Sequence, residues 1–224
     1  MARGSRPAAD WVDLPEGHRA GERGLRRAST AVFLAGVAVF AMLYQPQALL
    51  PELSRSFGVT PAAATLAISV CTVALAVGLL VLGPLSDRRG RTGILQLSLV
   101  AAAVLAVLIA LAPTWEVLLG LRAAQGFALA GLSAVGVAYL REELHASVSS
   151  RAIGLFVSGN AIGGLTGRLL GGVLTDLGGW RLALAGVAVL GVACAVAVRL
   201  LLPAPRRFVR APMSSISSSK WAWW

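Results

Sequence analysis

The sequence predicts an all-α membrane protein in which six transmembrane helices form two inverted three-helix repeats. Of its 224 residues, 57% are hydrophobic and 13% are charged, whereas soluble domains carry about 25% charged residues. Six apolar runs are each long enough to form a membrane helix, which needs about 20 residues. A short motif near the end of the second run recurs near the end of the fifth, as a repeated unit would require.

Short polar connections separate the six apolar runs. Gly36 and Pro46 lie inside the first run, and membrane helices tolerate such residues because neighbouring helices satisfy the freed backbone groups. The predicted spans are residues 29–50, 62–84, 93–113, 116–140, 152–175 and 181–202. Residues 28–203 are therefore the predicted transmembrane domain, between a disordered basic tail, 1–27, and a second tail, 204–224.

The basic residues predict how the helices are oriented. All but four of the 20 lysines and arginines lie in the N-terminal tail, in the connections after the second and fourth spans, or at and beyond the end of the sixth span. The positive-inside rule places these segments and both termini in the cytoplasm. Because the net charge of +10 is not gathered with aromatic residues on one polar face, nucleic-acid binding is not expected.

The recurring motif suggests an internal repeat. Residues 83–90 read GPLSDRRG and residues 172–179 read GVLTDLGG, and both fit Gly-x-Leu-Ser/Thr-Asp-x-x-Gly. Because the repeated unit has three helices, an odd number, its second copy is inverted in the membrane. Inverted repeats are typical of transporters, and a chance match in a sequence rich in Gly and Leu is the alternative.

Nothing in the sequence predicts an enzyme, a metal site or a cofactor. Cys71 and Cys194 lie in apolar runs, whereas His18 and His145 lie in polar segments. The sequence has no metal-ligand spacing, nucleophile–base pair or phosphate-binding loop.

The connection after the second span resembles the cytoplasmic 2–3 loop of the major facilitator superfamily of secondary transporters. The family motif reads Gly-x-Leu-small-Asp-Arg-x-Gly-Arg-Arg/Lys-x-x-Leu, and Thr92 departs from it where a second basic residue is common. The matching positions are Gly83, Leu85, Ser86, Asp87, Arg88, Gly90, Arg91 and Leu95.

Two further family motifs fall in the fourth and fifth spans. The motif Leu-x-x-x-Arg-x-x-Gln-Gly is matched by Leu118, Arg122, Gln125 and Gly126. The antiporter motif Gly-x-x-x-Gly-Pro-x-x-Gly-Gly is kept at Gly159, Gly163 and Gly167, but Gly164 replaces the Pro and Arg168 the last Gly. Residues 139–172 look most like bacterial inner-membrane efflux-type members.

The resemblance covers about residues 30–208 and implies the N-terminal six-helix half of a major facilitator fold. It implies alternating-access transport of a small molecule in a bacterial inner membrane, in the efflux direction. Besides the small-molecule substrate, the resemblance implies two kinds of partner: membrane lipid, and either a second six-helix half or a second copy of this chain. Proton coupling stays open, because no Asp or Glu lies deep in any predicted span.

The family assigns gating to the 2–3 loop. Asp87, Arg88 and Arg91 would form breakable contacts that hold the outward-open state, while Gly83 and Gly90 allow a tight turn. The alternative is that the arginines only set the topology.

The two arginines inside the spans also leave alternatives open. For Arg122, with Gln125 and Gly126, the family implies proton coupling or substrate contact; a structural hydrogen bond to helix-end carbonyls is the alternative. Arg168 would bind an anionic substrate group, with Asn160 as a polar partner, or would snorkel or cap a helix.

The series of small residues in the fifth span predicts a smooth helix face. Gly159, Gly163 and Gly167 recur every four residues, with Gly164 beside them, and they serve either gating and substrate contact or packing alone. Tyr44, Gln45 and Gln47 in the first span either contact substrate or form an interfacial polar cluster.

The last residues raise three hypotheses about the product. Residues 202–212 look like the start of the family's central cytoplasmic loop, and the Ser- and Trp-rich residues 213–224 suggest an out-of-frame tail, a truncation or an interfacial anchor. The chain is then part of a full or split carrier, a truncated protein that does not transport, or a half-size carrier that works as a homodimer.

The predicted topology can be tested with reporter fusions after Arg210. Six spans and a cytoplasmic N-terminus place this position in the cytoplasm, where alkaline phosphatase stays inactive and green fluorescent protein fluoresces. Phosphatase activity from the Arg210 fusion would overturn the six-span topology.

Overall fold

The described part of the chain consists of helices joined by short turns. The computed structural model describes residues 23–89, 91–143 and 146–201, with side-chain surroundings for 26–86, 93–134 and 153–201. No strand occurs in these ranges. The helices are α1 (Arg23–Tyr44), α2 (Pro46–Phe57), α3 (Pro61–Ala64), α4 (Leu66–Arg89), α5 (Arg91–Ala110), α6 (Trp115–Glu143) and α7 (Ala146–Leu201).

Five helical segments of the described ranges are long and apolar enough to cross a membrane. They are Arg26–Phe57, Pro61–Ser86, Gly93–Ala110, Trp115–Ala134 and Ile153–Leu201. The second, third and fourth segments fall where the sequence predicts spans. The first and the last are longer than predicted.

The first segment continues past the predicted end at residue 50 and stops at Phe57. Its 32 residues would extend about 48 Å as a straight helix, more than the ~30 Å hydrocarbon core. A turn at Gln45, before Pro46, divides it into α1 and α2. Gly58 closes α2 with φ 65°, a left-handed conformation that glycine adopts readily.

The last segment is broken by two glycines. Gly178 and Gly179 have non-helical dihedral angles, and Gly179 has φ 81° and ψ 176°, a region essentially restricted to glycine. The break divides α7 into α7a, residues 146–177, and α7b, residues 180–201. In the described chain each part is long enough to cross a bilayer by itself, and the break lies between the predicted fifth and sixth spans.

Helix α1 packs against α7a through the predicted small-residue face. Gly159, Gly163 and Gly167 face the backbone of Phe33, Val37 and Ala41 in turn. A Cβ added at Gly163 would lie 2.7 Å from the Val37 Cα. The glycines therefore let two helix backbones approach more closely than any larger residue would allow.

A second close approach joins α4 to α6. Gly126 of α6 lies against the backbone of Cys71, and a Cβ added at Gly78 of α4 would lie 2.6 Å from the Ala130 Cβ. Helix α5 packs against both α6 and α7. The bundle is thus held by two helix pairs with small residues at their contacts, with α5 packed against both pairs.

An aromatic cluster closes one end of the bundle. The Phe57 ring lies between the rings of Trp115 and Trp180, at centroid distances of 5.6 and 5.1 Å. Around it are the buried side chains of Leu49, Leu53, Ile109, Leu118 and Leu184. The end of α2 is therefore packed against the starts of α6 and α7b.

The α1–α7a contact predicts a difference between two identical substitutions. Gly163→Ala places a methyl group against the Val37 backbone, whereas nothing lies within 4 Å of a Cβ added at Gly172 on the same helix. We expect Gly163→Ala to lower the free energy of unfolding by about 1–3 kcal/mol, and Gly172→Ala to leave it unchanged or slightly raised. Unfolding of the purified protein in mixed micelles by added sodium dodecyl sulfate measures both, and equal midpoints would contradict the proposed contact.

Candidate functional site

Arg122 lies in the middle of the bundle and is 2% exposed. From α6 its Nε donates to the Ala67 carbonyl oxygen on α4, at 2.9 Å. Its Nη1 donates to the Met42 carbonyl oxygen at 2.9 Å, and its Nη2 to that of Leu43 at 3.0 Å, both near the end of α1. One guanidinium thus joins three helices.

The accepting carbonyls of α1 are available because of the local sequence. Proline has no backbone N–H, so Pro46 cannot donate to the Met42 carbonyl, its partner in a continuous helix. The C-terminal end of a helix also carries partial negative charge, which favours a cation there. Pro46 therefore creates an acceptor that Arg122 satisfies.

Gln125 and Gly126 complete this arrangement one turn further along α6. The Gln125 Oε1 accepts a hydrogen bond from the Arg122 Nη1, and its Nε2 donates to the Ala102 carbonyl oxygen of α5, at 3.2 Å. Gly126 permits the contact with the Cys71 backbone, and Leu118 is buried in the aromatic cluster. Every residue of the fourth-span motif therefore contacts a neighbouring element.

Arg168 has a different environment, because its side chain is exposed. Its Nε donates to the Gln47 Oε1 of α2, and its guanidinium lies 4.9 Å from the centre of the Tyr44 ring. Gly164, one turn earlier, leaves room for that ring, since an added Cβ would lie 3.4 Å from the Tyr44 Cδ2. We call Tyr44, Gln47 and Arg168 the α1–α7a polar cluster.

Two other polar residues lie outside this cluster. Gln45 is buried and donates from Nε2 to the Ala183 carbonyl oxygen of α7b. Asn160 lies next to α1 at Gly36, and its buried Oδ1 has no hydrogen-bond partner among the described residues. The side chain bonded to Arg168 is therefore Gln47 rather than the expected Asn160.

The gating motif is described only in part. Gly83 lies within α4, where an added Cβ would meet nothing within 4 Å, and the Ser86 Oγ donates to its carbonyl oxygen at 2.7 Å. The side chains of Asp87, Arg88 and Arg91, and all of Gly90, lie outside the described residues. Their gating role stays a prediction.

The described residues include no group of three or more His, Cys, Asp and Glu that could hold a metal ion. Cys71 and Cys194 are buried free thiols, so each packs as a small apolar residue.

Two contacts of this site were not anticipated from the sequence. One is the pairing of Arg168 with Gln47, for which the sequence offers no signal because 121 positions separate them. The other is the hydrogen bond that the Met42 carbonyl oxygen accepts from Arg122. Pro46 could have indicated it, because proline has no N–H to donate to that carbonyl.

These features define a class: a multi-pass helical membrane protein with a buried polar network inside an apolar bundle. The family model for the Major Facilitator Superfamily matches residues 29–219. The chain belongs to this family of membrane transport proteins.

Named relatives agree with this membership. The chain is 43% identical over 182 residues to the inner membrane transport protein YnfM of Escherichia coli, covering 81% of this chain and 44% of YnfM. It is 42% identical over 190 residues to the uncharacterized MFS-type transporter YybF of Bacillus subtilis, covering 85% of this chain and 47% of YybF. The chain thus spans about half the length of these relatives.

The fold is similar to that of a bacterial homologue of the human lysosomal transporter Spinster, in an inward-facing, unoccupied conformation. The TM-score is 0.66 at 19% identity, over 87% of this chain and 46% of that one. At this identity the likeness concerns the fold.

The contacts of Arg122 predict that even a substitution that keeps the positive charge lowers the stability of the fold. Lysine keeps the charge but cannot bridge the separate carbonyls of Ala67, Met42 and Leu43 with one planar group. We expect Arg122→Lys to lower the free energy of unfolding by about 1–3 kcal/mol, because at least one buried carbonyl loses its donor.

The same micelle unfolding assay measures this loss, with Arg199→Lys as the control because Arg199 is exposed near the end of α7b. An Arg122→Lys protein that unfolds at the wild-type midpoint would show that the carbonyl contacts contribute little, leaving only coupling or substrate contact for Arg122.

Proposed function

We propose that the chain is the N-terminal six-helix half of a secondary active transporter that exports a small amphipathic anion by alternating access. In this proposal α1 with α2, α3 with α4, α5, α6, α7a and α7b form the six spans, arranged as two inverted three-helix repeats. The protein lies in a bacterial inner membrane with both termini in the cytoplasm, and a second six-helix half contributes the other side of the cavity.

The observation that carries the proposal is the exposed position of Arg168. It lies ten residues before the Gly178 break, or about 15 Å along the helix, near the middle of a ~30 Å hydrocarbon core. A charged side chain at that depth costs at least about 2.5 kcal/mol in contact with lipid. The face that carries Arg168 therefore belongs to a water-filled pathway or to a contact with the other half.

The different environments of the two arginines support an anionic substrate. Arg122 is buried and spreads its donors over carbonyls and Gln125, so it is occupied by the fold. The Arg168 guanidinium is held by Gln47 and Tyr44 on one side while the side chain stays exposed. Such a positioned cation can pair with a carboxylate or phosphate, and the surrounding apolar side chains suit the rest of an amphipathic molecule.

Export and gating rest on the sequence motifs. The glycines of α7a keep the spacing of the antiporter motif, and in this chain they support a close contact of α1 with α7a. The loop residues Asp87, Arg88 and Arg91 are proposed to hold the outward-open state through contacts worth a few kcal/mol, which substrate binding can offset. Coupling to protons would require an acidic group beyond the predicted spans or in the other half.

A transport assay in intact cells tests the proposal and separates its alternatives. The chain is expressed in an efflux-deficient bacterium, alone or with a separately encoded C-terminal half of YnfM, and loss of preloaded fluorescein, an anion, is compared with loss of ethidium, a cation. Fluorescein export only with the added half supports a two-half carrier, and export by the chain alone indicates a half-size homodimer. Membrane-inserted protein without export in either case identifies an inactive chain and overturns the proposal.

Arg168→Gln is expected to lower the rate constant for fluorescein export about tenfold or more, because a charge-assisted hydrogen bond to the anion is lost. The matched substitution Arg199→Gln removes an exposed arginine near the end of α7b and is expected to leave export unchanged. Equal export by the Arg168→Gln and wild-type chains would remove Arg168 from the substrate site.

Asp87→Asn tests the gating loop in an intact carrier that contains this sequence. The substitution keeps the size of the side chain but removes the negative charge that would pair with an arginine, so we expect transport to be abolished while membrane insertion is normal. Wild-type transport rates in the Asp87→Asn carrier would contradict the gating role.

A further inference from the structure

An apolar groove lies between α5 and α7b, away from the α1–α7a polar cluster. Its volume is about 390 Å³, within the range of small-molecule sites. Val107, Ala110 and Leu111 of α5 line one wall, and the other is lined by α7b residues from Ala185 to Ala193. The alanines leave the space that the groove occupies, and since all its lining side chains are apolar, water is a poor occupant.

The groove begins at the end of the bundle that carries the aromatic cluster. Arg181, one turn before Ala185, donates from Nη2 to the Ala112 carbonyl oxygen at 3.2 Å, directly after the groove residue Leu111. Its guanidinium carbon lies 4.1 Å from the centre of the Trp180 ring. Arg181 thus lies at the groove's end, held by the Ala112 carbonyl and the ring of the buried Trp180.

The dimensions and charge of this site fit one kind of occupant. From Ala185 to Ala193 the wall extends about 12 Å, most of one leaflet of a ~30 Å core. Arg181 has an exposed side chain. Among the described residues, Arg55 forms an ion pair with Glu52, whereas no carboxylate lies within ion-pair distance of Arg181. A guanidinium has five donors in a fork that matches phosphate geometry.

We infer that this groove binds an acidic phospholipid, with one acyl chain between α5 and α7b and the headgroup phosphate on Arg181. The apolar walls hold the chain, and the guanidinium, oriented by Ala112 and Trp180, selects the anionic headgroup. The site is separate from the proposed substrate pathway, so it stands or fails independently of transport.

Native mass spectrometry of the purified, delipidated chain tests this inference. The chain is titrated with phosphatidylglycerol or phosphatidylcholine carrying identical acyl chains. We expect phosphatidylglycerol to bind about fivefold more tightly, the affinity equivalent of one basic residue near an anionic membrane surface. Equal affinity for the two lipids would overturn the headgroup assignment.

Two variants with matched controls locate the lipid. Arg181→Ala is expected to abolish the preference for phosphatidylglycerol, whereas Arg55→Ala, another exposed arginine, is expected to keep it. Ala193→Leu fills the groove from its exposed edge and is expected to weaken binding of both lipids, whereas Ala76→Leu on the exposed face of α4 leaves it unchanged. All four substitutions are at exposed positions, and wild-type thermal unfolding of each variant confirms that the fold is intact.

Other outcomes overturn the proposal. Unchanged lipid affinity in Ala193→Leu places the lipid elsewhere. Dimer masses without lipid adducts that disappear in Ala193→Leu would identify a second copy of the chain as the occupant.

Discussion

The arrangement of the bundle depends on one buried guanidinium whose hydrogen bonds are almost all made to backbone. Arg122 joins α6 to α1 and α4, and through Gln125 it reaches α5. A buried charge is tolerated only when such partners surround it, so the helix ends must be where Arg122 can reach them. Because backbone carbonyls cannot change rotamer as side chains do, the network fixes the relative positions of whole helices.

This rigidity divides the bundle into regions with different roles. The Arg122 network joins α1, α4, α5 and α6 in the interior, and the aromatic cluster around Phe57 joins α2, α6 and α7b at one end. In the α1–α7a contact, three glycines lie directly against the α1 backbone, so no α7a side chain interlocks with α1 at these positions. The exposed Arg168 directly follows Gly167, the last of these glycines, so any sliding of α7a along α1 would change its surroundings.

The positions of the membrane segments could be predicted from hydropathy, but the extension of the first could not. Residues 51–57 include Glu52, Arg55 and two serines, so their average hydropathy is low. Leu49, Leu53 and Phe57 nevertheless recur every four residues and face the aromatic cluster. This period becomes visible only once its packing partners are known, which explains why hydropathy did not indicate that the helix continues to Phe57.

The fourth-span motif could be found from the sequence, but its chemistry could not. Its arginine bonds to backbone carbonyls, which every residue has, so the sequence does not show which carbonyls accept. Only Pro46 indicated a carbonyl without a donor in its own helix. The partner of Arg168 was expected on its own helix at Asn160, yet Gln47 is 121 residues away. Contacts between residues so far apart in the sequence depend on how the helices pack, which the local sequence pattern does not specify.

The proline at the start of α2 also has a consequence for biosynthesis. Met42 leaves the ribosome 80 residues before Arg122, a delay of about 4–16 s at ordinary translation rates of 5–20 residues per second. During that interval the first helix is in or near the membrane with a carbonyl whose donor, Arg122, has not yet been synthesised. Water or the insertion machinery must stabilise this carbonyl until the fourth span arrives, so the first helix reaches its final state only after more than half of the chain has been made.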